Sequence, residues 1–436
     1  MTDVRTPVRT GAAHRLAALV EDALGAPLPV RLRAWDGSET GPSDAPVVVL
    51  RSRRALRRLL WEPGELGLAQ AYVTGEIDVE GDLAEGLRAA WKSARERGAH
   101  TPRLSLADRV RALGEATRLG VVGPRPPAPA SQARLRGGRH TKARDRAAIS
   151  HHYDLSNDFY RLLLDDTMAY SCGYWTAEDM DPADAQRAKL ELICRKLGLT
   201  PGARLLDIGC GWGSLTLYAA EHHKARVTAV TLAREQAAYV REQVRERGLE
   251  ERVEVVCQDY RDITGSAYDA VATVEMGEHV GDAEYPAFAA SLHRMVRPGG
   301  RVMVQQMSRG TTAPGGGAFI EAYIAPDMHM RPLGDTVSLL EAAGLEVRST
   351  ESMREHYVRT VAAWYETLER RWDDVVALVG EETARVWRLY LVGGALAFEE
   401  GRMGVDQILS VRRSGAGASG LDLSEAADWY RNLEER

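Results

Sequence analysis

The sequence predicts an α/β protein: a doubly wound, mostly parallel, Rossmann-like sheet with helical additions, preceded by a small α+β N-terminal domain. From about residue 185 to residue 307, apolar strand patterns alternate with amphipathic helix patterns, which is typical of a parallel sheet with helices on both faces. Residues 29–50 instead alternate apolar and polar side chains around the turn-forming pair Asp36-Gly37, which indicates a separate small sheet. A chain of 436 residues is long enough for two or three domains.

The predicted elements follow one another in a regular order. Near the N-terminus we expect an amphipathic helix over 14–24, strands within 29–50 and a helix over 51–61. The main sheet is predicted from the strands ARLLDI, RVTAVTL, VEVVCQD, YDAVATVEM and GRVMVQQM, with helices over 185–197, from Ser214, from Arg234 and near 285–296. The segment 357–400, rich in Trp and Tyr, is predicted to be helical.

A proline-rich run marks the boundary between the predicted domains. The residues GVVGPRPPAPA, from 120 to 130, cannot continue a helix or a sheet ladder and therefore predict a linker. They lead into SQARLRGGRHTKARDR, the most basic stretch of the chain, which is either a solvated tether or a segment that contacts a membrane or binds phosphate. We predict an N-terminal lipid-contacting domain over 1–119, a linker over 120–146 and a larger domain over 147–436.

The predicted helix over 51–61 is strongly basic on one side. A period of 3.6 residues places four arginines on one face and three leucines on the other, namely Arg53, Arg54, Arg57 and Arg58 against Leu56, Leu59 and Leu60. This pattern has two interpretations. It is a solvated helix whose apolar side joins the core, or it is a surface that touches anionic lipid head groups.

The overall composition narrows the class of protein. Hydrophobic residues make up 44% and charged residues 27%, as in soluble globular proteins. The formal net charge of -6 argues against a general electrostatic attraction to nucleic acid. The sequence contains no stretch of 18 apolar residues, so we expect no membrane-spanning helix. The cysteine spacing fits neither a zinc site nor a redox pair, which favours a reducing cytosol and no metal; the four are Cys172, Cys194, Cys210 and Cys257.

A glycine-rich turn indicates the cofactor. The strand that ends at Asp207 turns through Gly209, Gly211 and Gly213 into a helix, and glycine lets the backbone approach a ligand closely at a helix N-terminus. The order G-x-G-x-G, with no Gly-Lys-Ser/Thr after it, favours S-adenosylmethionine over a dinucleotide or a triphosphate, and hence the class I methyltransferase type of fold. Asp259 and Tyr260 follow the third strand and offer a carboxylate and an aromatic plane for adenine.

Four motifs, including the glycine-rich turn, together resemble those of the cyclopropane-fatty-acyl-phospholipid synthase family. They are HHYDLSNDFYRLLLDDTMAYSCGYW at 151–175, LLDIGCGWG, TLAREQ and VEMGEHVG, and the resemblance covers about 145–412 strongly and the N-terminal part more loosely. It implies that S-adenosylmethionine is contacted by Tyr153, Ser171, Gly209, Gly211, Thr231, Gln236 and Tyr260. Gln236 would take the place of the ribose-binding acid that the second strand lacks.

The resemblance also implies a bound bicarbonate ion. Its ligands fall on Cys172, Glu278 and Tyr357, while Gln305 stands where the family has a histidine, so these four are the predicted catalytic residues. Three of them have a structural alternative: Cys172 as a small buried hydrophobe, Glu278 as an exposed acid at a strand end and Tyr357 as helix packing. The neighbouring His279 is interpreted as a structural imidazole.

The resemblance implies methyl transfer to the cis double bond of an unsaturated acyl chain in a phospholipid. Which proton leaves the resulting cation decides the product, and glutamine cannot relay a proton as histidine can. We therefore expect Gln305 to change the position of the base. This change should favour a 10-methylene chain, the precursor of a 10-methyl branch, over a cyclopropane. The expected protein is cytoplasmic and peripherally bound to the membrane.

The sequence leaves several alternatives open. A small-molecule methyltransferase and a catalytically silent lipid-binding scaffold remain competing hypotheses. Nucleic-acid methylation is disfavoured, because VEMGEHVG follows the fourth strand in place of an Asn-Pro-Pro-aromatic motif. Assembly as a homo-oligomer and cooperation with a separate reductase are compatible with the sequence.

Overall fold

The protein is described here by a computed structural model covering residues 11–25, 27–96, 106–133, 141, 144, 156–265, 267–310, 316–422 and 424–433. Contacts between Cα atoms divide the chain into two compact units. Unit 1 comprises 1–132 with 380–396, and unit 2 comprises 133–379 with 397–436. The segment 380–396, which the sequence analysis grouped with the larger domain, thus packs within unit 1. None of the described helices is long and apolar enough to cross a lipid bilayer.

Unit 1 is a small α+β fold. Its elements from the N-terminus are α1 (Ala12–Leu24), β1 (Arg31–Arg33), β2 (Glu39–Thr40), β3 (Val47–Leu50), α2 (Arg53–Trp61), α3 (Glu65–Val73), β4 (Ile77–Glu80), α4 (Leu83–Glu96) and α5 (Leu106–Arg118). The four strands form one sheet in the order β2-β1-β3-β4. The Asp36 carboxylate accepts a hydrogen bond from the Ala12 backbone N–H over 2.8 Å, which satisfies an unpaired donor at the start of α1.

The basic face of α2 is largely engaged inside unit 1. Arg58 is buried, donates to Glu76 over 2.9 Å and also donates to the Pro127 carbonyl oxygen, while Arg57 donates to the Val121 carbonyl oxygen. The proline-rich run has no regular secondary structure, as predicted, and these hydrogen bonds attach it to α2. The side chains of Leu60 and Trp61, at the end of the helix, are instead about half exposed.

Unit 2 contains the predicted doubly wound sheet. The elements that follow α5 are α6 (Asn157–Leu163), α7 (Pro182–Lys196), β5 (Arg204–Ile208), α8 (Ser214–His222), β6 (Arg226–Thr231), α9 (Arg234–Glu246), β7 (Val253–Cys257), β8 (Tyr268–Val274), α10 (Tyr285–Met295), β9 (Val296–Arg309), α11 (Ala318–Tyr323), α12 (Leu333–Ala342), β10 (Leu345–Ser352), α13 (Arg354–Arg370), α14 (Trp372–Val379), α15 (Glu381–Glu399), β11 (Met403–Arg412) and α16 (Glu425–Asp428). Most of α15 belongs to unit 1.

The sheet of unit 2 has seven strands in the order β10-β11-β9-β8-β5-β6-β7. Strands β5 to β9 pair in parallel, whereas β10 and β11 pair antiparallel at one end. This mostly parallel sheet confirms the predicted fold class. The two antiparallel strands are absent from the sequence prediction, and β11 turns out to place a polar residue next to the candidate site.

Candidate active site

The candidate active site is a cavity at the carboxyl ends of β5, β6 and β8. Strand β5 pairs with β6 on one side and β8 on the other, and such a point in a doubly wound sheet opens a crevice for a ligand. Seven residues predicted to bind the cofactor line the cavity: Ser171, Asp207, Gly209, Gly211, Thr231, Gln236 and Tyr260. Tyr153, also predicted to bind, lies outside the described residues.

The glycine turn shapes one wall of the cavity. Gly209 has a φ of +79°, and a Cβ atom at this position would lie 3.0 Å from Cγ of Met276, so both conformation and space favour glycine. Gly213, predicted to touch the cofactor, immediately precedes α8 and has a φ of +84°. A Cβ atom there would lie 3.0 Å from the Val240 side chain, so Gly213 allows α8 and α9 to pack closely and does not face the cavity.

Two further pairs involve residues predicted to bind the adenosine part of the cofactor. Thr231 at the end of β6 donates its hydroxyl to Oε1 of Gln236 over 2.8 Å, so the groups that Gln236 can offer to a ligand are its amide N–H donors. Asp259 is buried and forms an ion pair with Arg261 at 2.6 Å, and it is not among the cavity-lining residues. Asp259 therefore stabilises the short turn that carries Tyr260 into the cavity wall.

A buried lysine faces this wall and was not predicted from the sequence. Lys189 of α7 is 1% exposed, and its Nζ donates to the Ser171 hydroxyl over 2.8 Å. Burial lowers the pKa of Lys189, whereas the nearby Glu275 carboxylate acts in the opposite direction. Burial also raises the pKa of Asp207 to about 6, although Thr216 donates a hydrogen bond to its carboxylate over 2.7 Å. The cavity thus combines the buried ammonium group of Lys189 with the buried carboxylate of Asp207 and the partly exposed carboxylate of Glu275.

Glu275 is the centre of the predicted catalytic cluster, although the sequence analysis did not select it. Its carboxylate accepts hydrogen bonds from the Cys172 backbone N–H at 2.7 Å, the Gln305 side-chain amide at 2.8 Å and the Tyr357 hydroxyl at 2.6 Å. Three of the four predicted catalytic residues therefore meet at one side chain. Glu275 also lines the cavity with the glycine turn.

The orientation of the Gln305 amide is fixed by a chain of buried polar groups. Lys196 donates to Oε1 of Gln407 over 2.8 Å, and an ammonium group can only donate. Gln407 must then present its NH2 group to Gln305, and does so over 3.0 Å. The carbonyl oxygen of Gln305 is used in this bond, so its own NH2 group is directed to Glu275.

Cys172 contributes through its backbone rather than through its thiol. The side chain is fully buried, and its Sγ atom lies 3.3 Å from the carbonyl oxygen of Gly173 and 3.5 Å from that of Met353. Burial, and next the charge of Glu275, raise the pKa of the thiol well above its ordinary value. A neutral thiol is a poor nucleophile and a weak ligand, so the backbone N–H of Cys172 is the group that serves the site.

Glu278 and His279 lie one turn beyond Glu275. Glu278 is 1% exposed, is not among the cavity-lining residues, and its Oε2 atom has no hydrogen-bond partner within the described parts of the chain. Burial, followed by repulsion from Glu275, raises the pKa of Glu278 well above its ordinary value. His279 does line the cavity, and burial lowers its pKa to about 4, so its imidazole is neutral at physiological pH.

Comparison with known proteins identifies relatives of the chain. Residues 140–408 match the protein family described as mycolic acid cyclopropane synthetase. A probable fatty acid methyltransferase of Mycobacterium tuberculosis is 36% identical over 404 residues, which cover 91% of this chain and 94% of that protein. A tuberculostearic acid methyltransferase of the same organism is 32% identical over 400 residues, which cover 88% of each chain.

A solved structure is similar in the same region. It is a mycolic acid cyclopropane synthase complexed with SAH and CTAB, with a TM-score of 0.58 and 30% identity, and the match covers 61% of this chain and 97% of that chain. The stretch matched to the family includes every residue of the cavity and of the Glu275 cluster.

Proposed function

Because the chain belongs to the mycolic acid cyclopropane synthetase family, we propose that it methylates the cis double bond of an unsaturated, oleoyl-type acyl chain in a phospholipid. The proposed product is a methylene chain, the precursor of a 10-methyl branch. One observation carries this proposal: the glycine turn and Glu275 line the same cavity, and the Glu275 carboxylate accepts hydrogen bonds from three donors. More generally, the chain is an S-adenosylmethionine-dependent methyltransferase of a family that modifies fatty acyl chains.

The chemistry requires a site that excludes water and accepts a proton. Bound S-adenosylmethionine supplies an electrophilic methyl group on a sulfonium centre. An isolated double bond is a weak nucleophile, so close placement by the protein is the main source of rate. One alkene carbon gains the methyl group and the other becomes a cation, which a polar buried site must protect from water.

The fate of the cation distinguishes the products. If a hydride first shifts between the two former alkene carbons, the cation moves to the methylated carbon, and loss of a proton from the new methyl group leaves a methylene group. If the proton leaves before the shift, the same carbons close a cyclopropane. The timing and position of the base therefore select the product. The relative named as a tuberculostearic acid methyltransferase supports the branched outcome.

Bicarbonate does not fit the arrangement of this site. The resemblance assigns that ion to Cys172, Glu278 and Tyr357, with Gln305 at the histidine position. The Cys172 backbone N–H, the Gln305 amide and the Tyr357 hydroxyl already donate to the Glu275 carboxylate. A second anion at the same donors would lie against the Glu275 carboxylate and would lack hydrogen bonds of its own. We therefore assign no step to bicarbonate.

The proposed substrate places the enzyme at a membrane surface. The side chains of Leu60 and Trp61 are 47% and 52% exposed at the end of α2, and Val122 is 51% exposed. The Trp61 indole N–H donates to the Gly123 carbonyl oxygen, so Val122 lies beside it in the same unit. We propose that this apolar group contacts lipid.

Conversion of a methylene chain into a methyl branch would further require a reductase, since it consumes two electrons and two protons.

Product analysis tests the proposed function. The purified chain is incubated with dioleoyl phospholipid vesicles and S-adenosylmethionine carrying a CD3 methyl group, and the released fatty acids are examined by mass spectrometry and NMR. We expect an exocyclic methylene group that retains two deuterium atoms. A cyclopropane ring would contradict the proposed product, and three retained deuterium atoms would show that a chain proton leaves instead. No labelled lipid, together with methylation of a small amine, would favour the small-molecule alternative.

A further inference from the structure

We propose that the Glu275 carboxylate is the general base that takes the proton after methyl transfer, in the place that the family resemblance gives to bicarbonate. The inference rests on the proposed function, since it needs a carbocation to deprotonate. A C–H bond of the new methyl group breaks, its electron pair forms the product double bond, and the proton joins a Glu275 oxygen. The carboxylate becomes a neutral carboxylic acid, so charge and atoms balance without another reactant.

The hydrogen bonds leave one oxygen of Glu275 able to accept the proton. A carboxylate has about four lone-pair positions, two on each oxygen. Oε1 accepts from the Cys172 backbone N–H and from the Gln305 amide, while Oε2 accepts from the Tyr357 hydroxyl. Both positions of Oε1 are thus used, whereas Oε2 retains one. The geometry assigns proton uptake to Oε2.

The backbone holds Glu275 in an uncommon conformation. Strand β8 ends at Val274, and Glu275 has a φ of +52°, in a region that residues other than glycine rarely adopt. Its backbone N–H donates to the Gln305 carbonyl oxygen over 2.6 Å, which holds this turn against β9. Non-glycine residues in this region are concentrated at functional sites, where the surrounding structure enforces them. The turn points the carboxylate of Glu275, rather than that of Glu278, toward the cavity.

The electrostatic surroundings suit a base. Burial raises the pKa of Glu275, which makes it a stronger proton acceptor than an exposed carboxylate, while its three donors and Lys189 limit that rise. The other ionisable groups that face it are Cys172, Glu278 and Tyr357. Gln305 needs only to donate in this arrangement, because the carboxylate itself carries the proton. A glutamine at the histidine position of the family is consistent with that simpler role.

Bicarbonate dependence provides the main test. The purified full chain is assayed with dioleoyl phospholipid vesicles and S-adenosylmethionine in buffer freed of carbon dioxide, with and without added sodium bicarbonate. We expect the rate of the wild-type chain to be the same in both buffers. We expect Glu275→Gln to lower lipid methylation by at least about 100-fold, the usual loss when a general base is removed, with S-adenosylmethionine affinity retained as evidence of folding.

Two variants complete the design. Glu254→Gln makes the same chemical change at an exposed position of β7 and should leave the rate unchanged. Glu275→Gly removes the carboxylate and frees the three donors, so added bicarbonate should raise its rate. The inference is overturned if the wild-type chain requires bicarbonate or if Glu275→Gln keeps the wild-type rate. If the wild-type chain methylates no lipid in either buffer, the proposed function itself fails.

Discussion

Gln407 of β11 donates its side-chain amide to Gln305 of β9 over 3.0 Å, at directly paired positions of the two antiparallel strands. Both side chains are buried, and Lys196 accounts for the orientation of both amides. The ammonium group of Lys196 thus influences Glu275 through two intervening side chains rather than by contact. Gln407 is a positioning residue in this scheme, since it orients Gln305 without lining the cavity.

Gln407→Glu should invert the Gln305 amide. The new side chain offers only acceptors when ionised, so Gln305 would turn its NH2 group to it and present its carbonyl oxygen to Glu275. A hydrogen bond to a charged group contributes about 1.5–3 kcal/mol, so losing it should raise the pKa of Glu275 by about one unit or more. The pH below which the rate falls should rise by the same amount. Initial rates across pH measure this shift. Gln407→Met, which removes the bond without inverting it, should give a smaller shift, and equal shifts would contradict the orientation argument.

Cys172→Ala should retain most of the activity. The variant keeps the backbone N–H that donates to Glu275 and removes only a buried neutral thiol.

Tyr357→Phe instead removes the hydroxyl bonded to the same carboxylate and should lower the rate about tenfold or more, as expected for a lost hydrogen bond to a charged group. Steady-state rates of the two variants provide the comparison. A larger loss in the alanine variant would show that the thiol itself takes part.

The local part of the site could be predicted from the sequence. The glycine turn, Thr231 and Gln236 lie in short contiguous motifs at the ends of strands, and the alternation of helices and strands in the sequence predicts where those ends fall. The choice between Glu275 and Glu278 could not be made in this way. Both acids belong to the motif VEMGEHVG, and only the left-handed turn at Glu275 decides which carboxylate meets the donors.

The partners of the cluster depend on contacts between distant parts of the chain. Gln407 lies 102 positions from Gln305, on a strand that the sequence analysis did not predict. Lys189 lies on the buried side of α7 among Ala185, Leu192 and Ile193. A lysine on a largely apolar helix face was the available signal for a buried charge, but its partners only become visible once α7 is packed on the sheet.

Lys189→Met should make the enzyme lose activity at higher pH than the wild type does. The positive charge of Lys189 opposes the rise in the pKa of both Glu275 and Asp207, so its removal should raise both values further. The base is active only when ionised, and its activity therefore falls as the pH drops through the raised pKa. A pH–rate profile measures the shift. Lys92→Met, at an exposed position of unit 1, should leave the profile unchanged, and an unshifted Lys189→Met profile would contradict the assigned influence.

S-adenosylmethionine affinity should decrease below about pH 6. The pKa of Asp207 is about 6 in the unliganded protein, and a bound sulfonium cation favours the ionised carboxylate, which lowers that pKa. Binding then releases a proton near pH 6, so affinity is complete above this value and declines as the pH falls toward the lower bound-state pKa. Isothermal titration in buffers of different ionisation enthalpy measures both effects. Asp207→Asn should bind without this pH dependence; an identical dependence in that variant would assign it to another group.

The exposed apolar group of unit 1 should control membrane binding. Replacing Leu60 and Trp61 by serine removes two large side chains, and full burial of one such side chain contributes about 1.5–3 kcal/mol. Partial insertion of both should make vesicle affinity about tenfold lower in the double variant. Co-sedimentation with oleoyl phospholipid vesicles measures the change, while S-adenosylmethionine affinity should stay constant because the cavity proposed to bind it lies in unit 2. Leu378→Ser removes an exposed leucine of unit 2 and is the matched control; equal losses in both variants would show that general surface hydrophobicity, rather than this group, drives binding.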